Sequence, residues 1–334
     1  MGIVVTGSAG MLGSTLLRRI EATGVDLNPG PDGIAADIRD TARMTELLAG
    51  ADAVVHCASA LPSYPDDEIH SVIVEGTRSV LTAARNAGVP RVVHISSTAV
   101  YGLPKLVPTP EDHPREPVDP YSRAKTAAEE IAEKFRADGL CVPIVRPKTF
   151  LGPGRMGLFA MLFEWADEGH GFPMLGKGGA RIQMLAIDDL VDAILLVLDA
   201  PDDVANDTYN IAAAEFATLR EDFQAVLDAA GHGKKVVPLP AAPALAMLRL
   251  LGRTGLSPVY DRLLYKLLDD SHVSIAKARD RLGFAPRFSN RDAILGTFAW
   301  WKEHARPNAR EKTGGRTSRD AWRQGALSLA KFLF

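Results

Sequence analysis

A chain of 334 residues is long enough for one large or two ordinary domains, and 46% hydrophobic with 24% charged residues is the composition of a globular protein with a sizeable core. The formal net charge of -3 provides no field for wrapping nucleic acid, so a small molecule is the expected partner. Two cysteines, Cys57 and Cys141, each beside an apolar run, exclude a disulfide framework and fit a reduced, cytoplasmic setting, and no run reaches the ~20 apolar residues that span a bilayer.

In chain order, "GIVVTG" reads as a buried strand and "MLGSTLLRRIEA" as a helix, followed by a second strand cut to a stub around Val25 to Leu27 and a third before "AADIRD". "ADAVVHCAS" holds the next strand, and "EIHSVIVEGTRSVLTAARNAG" is a long helix stopped by Gly88 and Pro90. "RVVHISS" is a buried strand, Tyr121 to Ala137 a helix, and "LCVPIVRP" a strand. Short apolar runs alternating with amphipathic stretches predict an α/β fold, a Rossmann-type doubly wound parallel sheet over residues 1–148.

From Thr149 the rhythm loosens, with helices at "MGLFAMLFEWADEG", "DDLVDAILLVLDA" and "LREDFQAVLDAAG" and short strands near "ARIQMLA" and "TYNIA". This predicts a smaller mixed C-terminal lobe over 149–304, interleaved with the first domain and carrying the substrate. Residues 238–268 read as strongly apolar helices broken by Pro and Gly. They would line an oily pocket or complete the lobe's core. Residues 305–334 read as a basic linker and amphipathic tail.

Directly after the first strand, "TGSAGMLG" sets Gly7, Gly10 and Gly13 three apart at the start of a helix. Bare backbone N–H groups and a helix N-terminus together are what a pyrophosphate needs, and side chains there would block its approach. Asp26, thirteen residues after Gly13, is the candidate for the adenosine ribose; its carboxylate would repel a 2′-phosphate and favour NAD, with NADP the alternative because the second strand is short. Asp37 and Ile38 are placed to flank the adenine.

Tyr121 and Lys125 are four apart at a helix start and would project from one face. A neutral-pH proton shuttle must lower tyrosine's pKa by about three units, roughly 4 kcal/mol. An ammonium about 4 Å away supplies about that much at an effective dielectric of 20. Ser97 or Thr98, just past the fifth strand, would hold the substrate oxygen, since ligands bind at strand C-terminal ends in this architecture. The eight histidines and two cysteines show no metal-ligand spacing, so no metal site is expected.

Nine segments, "TGSAGMLG", "ADIRD", "VVHCAS", "VEGTRSVLTAA", "ISSTAVYG", "PYSRAK", "VRPKTFLGPG", "IDDLVDAI" and "LGFAP", resemble in order the motifs of an extended short-chain dehydrogenase/reductase of the NAD-dependent epimerase/dehydratase group. The resemblance implies that Tyr121 is the general acid/base, that Lys125 lowers its pKa and holds the nicotinamide ribose, and that Ser97 hydrogen-bonds the reacting oxygen. It further implies that Met11, Leu12, Cys57, Ala58 and Pro147 join the glycines in holding the cofactor. Thr98, Thr149 and Arg181 would face the substrate, and the helices Glu68 to Asn86 and Tyr121 to Ala137 would pair in a homodimer.

Departures from the family's pattern narrow the chemistry. Thr98 and Ala99 stand where its 4,6-dehydratases carry an Asp-Glu pair, which argues against dehydration. Ile73 replaces the usual Asn before "VxGT", and no Asn stands near Thr149. The leading expectation is hydride transfer on a nucleotide sugar by an epimerase or dehydrogenase. The alternative is an apolar secondary alcohol of 3β-hydroxysteroid or polyketide type. A third reading, a dinucleotide sensor without turnover, would need the glycine turn but not Ser97, Tyr121 and Lys125.

Overall fold

The computed structural model describes residues 2–154, 158–243, 268–304 and 331. The chain forms two compact units: Met1–Phe150 with Ile187–Ala212 and Val273–Pro286, and Leu151–Ala186 with Ala213–His272 and Arg287–Phe334.

The first unit begins β1 (Ile3–Thr6), α1 (Met11–Arg19), β2 (Thr23–Asp26), β3 (Ile34–Ala35), α2 (Thr41–Leu47) and β4 (Ala53–His56). It continues with α3 (Asp66–His70), α4 (Gly76–Ala87), β5 (Arg91–Ile95), α5 (Pro120–Ala137) and β6 (Ile144–Pro147). These strands and Thr208–Ile211 make a seven-stranded sheet, ordered Thr208–Ile211, β6, β5, β4, β1, β2, β3, with every pairing parallel. Helices cover both faces, so the strands are buried on both sides and read as unbroken apolar runs. On one face Val4, Val54, Val92 and Ile144 pack with Val80, Leu81 and Ala84 of α4 and with Ala128, Ile131 and Ala132 of α5. On the other, the helix Ile187–Asp199 packs on α1 and β5.

Strand order fixes where a ligand can sit. The chain builds β2 and β3 outward on one side of β1, then crosses to β4, β5 and β6 on the other. A crevice therefore opens at the carboxyl ends of β1 and β4. Thr6 lies level with His56 and His56 level with His94, so three strand ends arrive together at that edge.

Several expectations are corrected. β2 runs Thr23–Asp26 rather than Val25 to Leu27, because Thr23 pairs beside Val4; Leu27 lies past the strand and exposed. The long helix to Gly88 contains a π turn at Ser71–Glu75. Its extra residue keeps Ile69, Ile73 and Val74 on the same core as Val80 and Leu81. "TYNIA" and "DDLVDAILLVLDA" fall in the first unit, since Thr208–Ile211 extends the sheet beside β6.

In the second unit Phe172–Leu175 pairs in parallel with Val236–Leu239, beside the helices Leu158–Asp167, Leu219–Ala230 and Asn290–His304. Its core is aromatic, with Phe163, Trp165, Phe172, Phe223, Phe298 and Trp301 in one cluster. Pro238 and Leu239 are thus strand residues, not helix as expected. The rest of the oily segment, 244–267, and the tail, apart from Lys331, lie outside the described residues. No helix among the described residues is long and apolar enough to cross a membrane.

Candidate active site

The glycine turn leaves β1 with Gly7 at φ +70°, a conformation that L side chains rarely adopt. A Cβ on Gly7 would stand 2.6 Å from the Ala58 backbone nitrogen, and one on Gly13 would stand 2.3 Å from the Gly7 carbonyl oxygen. Those two glycines let β4's exit and α1 close on the turn. Gly10 is different: its Cβ would meet nothing nearer than the Gly7 oxygen, at 3.1 Å. A side chain there would press on that oxygen, a milder conflict than the one at Gly13. Gly10 is also the N-cap of α1, which has no side-chain cap and no acidic residue in its first turn. The positive end of that helix is thus left for an external anion, and the cradle fits a dinucleotide pyrophosphate.

Asp26 closes β2 beside this turn. Its carboxylate accepts the Ala9 N–H at 3.0 Å and the Asn28 N–H at 3.0 Å, which fixes it half-buried next to the cradle. Asp37 is chelated by Arg39 at 2.9 and 2.5 Å, and that guanidinium holds its pKa below the ordinary carboxylate value. Arg39, which the sequence reading passed over, also donates to Ser71. Ile38 turns inward, against Gly76. After β4, the Cys57 N–H donates to the Thr6 carbonyl, and burial pushes the Cys57 thiol up to about 12, a thiol and not a thiolate.

α5 starts in a capping box. The Asp119 side chain accepts the Ser122 N–H at 2.7 Å, the Ser122 hydroxyl accepts the Asp119 N–H at 3.0 Å, and Pro120 occupies the first turn. The helix start is therefore fixed, with half-buried Tyr121 in its first turn and Lys125 one turn on. Lys125 is buried, and its ammonium donates to the Ile95 carbonyl at 2.8 Å, at the end of β5. Burial lowers its pKa to about 8, against the opposing pull of Glu129 and Cys57. Two residues past Ile95, the Ser97 hydroxyl oxygen accepts the Ala99 N–H at 3.1 Å, leaving its hydrogen to be donated. Buried Thr98 donates to the carbonyl of Pro147 at 3.4 Å, joining the ends of β5 and β6.

The first unit thus gathers Gly7, Gly10, Gly13, Asp26 and Ala58 around one turn, and Lys125 and Ser97 around the end of β5. Thr149 is exposed two residues past β6. Arg181 belongs to the second unit, where its N–H donates to Asp270 and its guanidinium lies 4.7 Å over the Phe216 ring.

Sequence reading missed the buried groups behind this edge. Glu129 is fully buried and gripped by Arg146 at 2.6 and 2.9 Å; despite the opposing effect of burial, that carboxylate holds the guanidinium's pKa above its usual value. Tyr101 donates to Asn210 at 2.9 Å and accepts from Arg146 at 2.7 Å. His56 bonds Thr6 and Thr77, and burial with the Lys125 charge pushes its pKa down to about 3. Its neighbour His94 is pushed well down by the same causes, and neither of its ring nitrogens has a partner. An acidic residue four after Lys125 was the available signal for Glu129. Among the described residues no group of three or more His, Cys, Asp or Glu could hold a metal.

Comparisons with known proteins agree with this geometry. Protein y4nG of Sinorhizobium fredii, itself uncharacterised, is 33% identical across 98% of this chain and 85% of its own. A 3 beta-hydroxysteroid dehydrogenase/Delta 5→4-isomerase of Mycobacterium tuberculosis is 27% identical, covering 87% of this chain and 88% of that protein. The crystal structure of DesIV, a dTDP-glucose 4,6-dehydratase from Streptomyces venezuelae with NAD and TYD bound, has a TM-score of 0.74 at 25% identity and covers 91% of this chain and 98% of that one. The sequence profile of the NAD dependent epimerase/dehydratase family matches residues 3–212, and the chain belongs to that family.

Proposed function

We propose that this protein is an NAD-dependent enzyme that moves a hydride at a secondary alcohol carbon of a nucleotide sugar, as an epimerase or dehydrogenase. The observation that carries the reading is Lys125, buried one turn after Tyr121 and anchored to the Ile95 carbonyl beside Ser97, at the sheet edge that also carries the glycine cradle. When bound, NAD supplies the hydride acceptor. Tyr121 takes the proton of the reacting hydroxyl and returns it, and the Lys125 ammonium stabilises the phenolate. Ser97 donates to the reacting oxygen. Asp26, beside the turn, receives the adenosine ribose.

The nucleotide-sugar class is supported by the dTDP-sugar enzyme of the same fold and family. Dehydration is disfavoured because Thr98 and Ala99, both buried, offer no carboxylate where the 4,6-dehydratases place their pair. We take the second unit as the substrate lobe, with Arg181 its candidate for the diphosphate, and a cytoplasmic homodimer through α4 and α5 as the assembly. A second reading, an apolar alcohol, is favoured by the steroid-dehydrogenase relative and by exposed Leu103, Leu106 and Val118 on the loop between Tyr101 and Tyr121.

Tyr121→Phe tests the mechanism: turnover should fall about 1,000-fold while NAD affinity holds. Retention of most activity would overturn the proton-shuttle role. Thermal-shift screening with NAD tests the substrate, and stabilisation by UDP or dTDP sugars alone would eliminate the apolar reading.

A further inference from the structure

We infer that Glu129 is a positioning residue for the proposed catalytic set, locking the helix that carries Lys125 to the strand end that carries Ser97. The inference rests on the function proposed above. Glu129 lies four residues after Lys125 on α5, on the same face, and is 0% exposed. One carboxylate oxygen accepts the Ser96 hydroxyl at 2.5 Å and Arg146 Nε at 2.9 Å. The other accepts Arg146 Nη2 at 2.6 Å and Arg115 Nη1 at 3.2 Å.

Ser96 sits between Ile95, whose carbonyl holds Lys125, and Ser97. Two side chains one turn apart on α5 therefore grip adjacent residues at the end of β5. A helix advances about 1.5 Å per residue, so a slip of α5 by a single position would break both grips. Arg146, the rear support, is itself held by the Tyr101 hydroxyl at 2.7 Å and the Glu111 carbonyl at 2.9 Å. The carboxylate is satisfied on both oxygens, which makes the network a rigid post.

Charge is the second part of the role. The groups acting on the Lys125 ammonium are Glu129 on its own helix and the Cys57 thiol after β4. The imidazoles of His56 on β4 and His94 on β5 also feel its charge and are neutral. Tyr121 shares its helix. Burial disfavours the ammonium, and Glu129 is the carboxylate that opposes this; Arg146 and Arg115 moderate it from behind. A glutamine in its place would keep most of the shape and lose the charge.

The test is the pH profile of kcat for wild type, Glu129→Gln, Arg115→Gln and Tyr121→Phe, with NAD affinity measured alongside. Glu129→Gln should lower kcat about tenfold and move the basic limb down by about one pH unit, while Arg115→Gln, which removes a cation from the far side of Glu129, should move the limb up. Opposite movements are not produced by a merely structural role. Limbs that stay at the wild-type position in both variants, with Tyr121→Phe inactive, would overturn the inference alone. An active Tyr121→Phe would instead overturn the proposed function. Should Glu129→Gln fail to fold, Arg115→Gln decides, because Arg115 is partly exposed and its removal leaves the buried Glu129–Arg146 pair in place.

Discussion

Gly10 and Gly13 look alike in sequence, and the structure separates them. Gly13 is demanded by the protein, since its Cβ would collide with the Gly7 oxygen, whereas a Cβ on Gly10 would stand 3.1 Å from that oxygen, a tight contact rather than a collision. Gly10→Ala is therefore expected to lower the thermal unfolding midpoint less than Gly13→Ala does, while weakening NAD about tenfold, about 1.4 kcal/mol. Comparing calorimetric Kd with melting temperature separates the two. Asp26→Ala should erode the preference for NAD over NADP, and an unchanged ratio would remove Asp26 from the ribose. Residues of this kind were legible because their spacing along the chain reflects local geometry: a strand, a turn and a helix N-terminus. The Glu129–Arg146 pair was not, because its members are brought together by packing of a helix on a sheet rather than by periodicity.

Strands were legible where apolar residues ran unbroken, as in β1, β4 and β5, and helices where they kept a helical period, as in α5. The π turn was invisible because one inserted residue leaves the apolar stripe nearly in phase. Val236–Leu239 was missed because Pro238 argues against a central strand and its parallel partner, Phe172–Leu175, is remote in sequence. The neighbouring strands β4 and β5 carry a pH consequence. His56 and His94 are held neutral inside the fold, while in the unfolded chain they bind protons near pH 6.5. The unfolded state then takes up more protons than the native one, so stability falls as pH drops from about 6.5 toward 3, by at most about 1.4 kcal/mol per pH unit for each histidine. Denaturant titrations at pH 7 and pH 5 should show the loss, and His94→Leu should reduce it while costing little at pH 7, since neither ring nitrogen has a partner to lose. On β6, Arg146→Met leaves the buried Glu129 of α5 without its main partner and should cost about 3 kcal/mol.

At the scale of the whole molecule, the doubly wound sheet was legible, but the strand that completes it reads from sequence as part of the C-terminal lobe. The strand Thr208–Ile211 completes the first unit's sheet from more than sixty residues beyond β6, a return that no local signal announces. The proposed homodimer predicts a mass near twice 35.9 kDa by light scattering, and a monomer at working concentrations would contradict it. Saturating NAD at about 100 times its Kd should add about 2.7 kcal/mol to unfolding. The most direct test of the account is rapid mixing of the NAD-loaded protein with UDP and dTDP sugars and with apolar secondary alcohols, following the near-ultraviolet absorbance of enzyme-bound NADH. A transient of reduced cofactor that appears with nucleotide sugars in the wild type and vanishes in Tyr121→Phe is the predicted result; a transient of equal size in both proteins would contradict it.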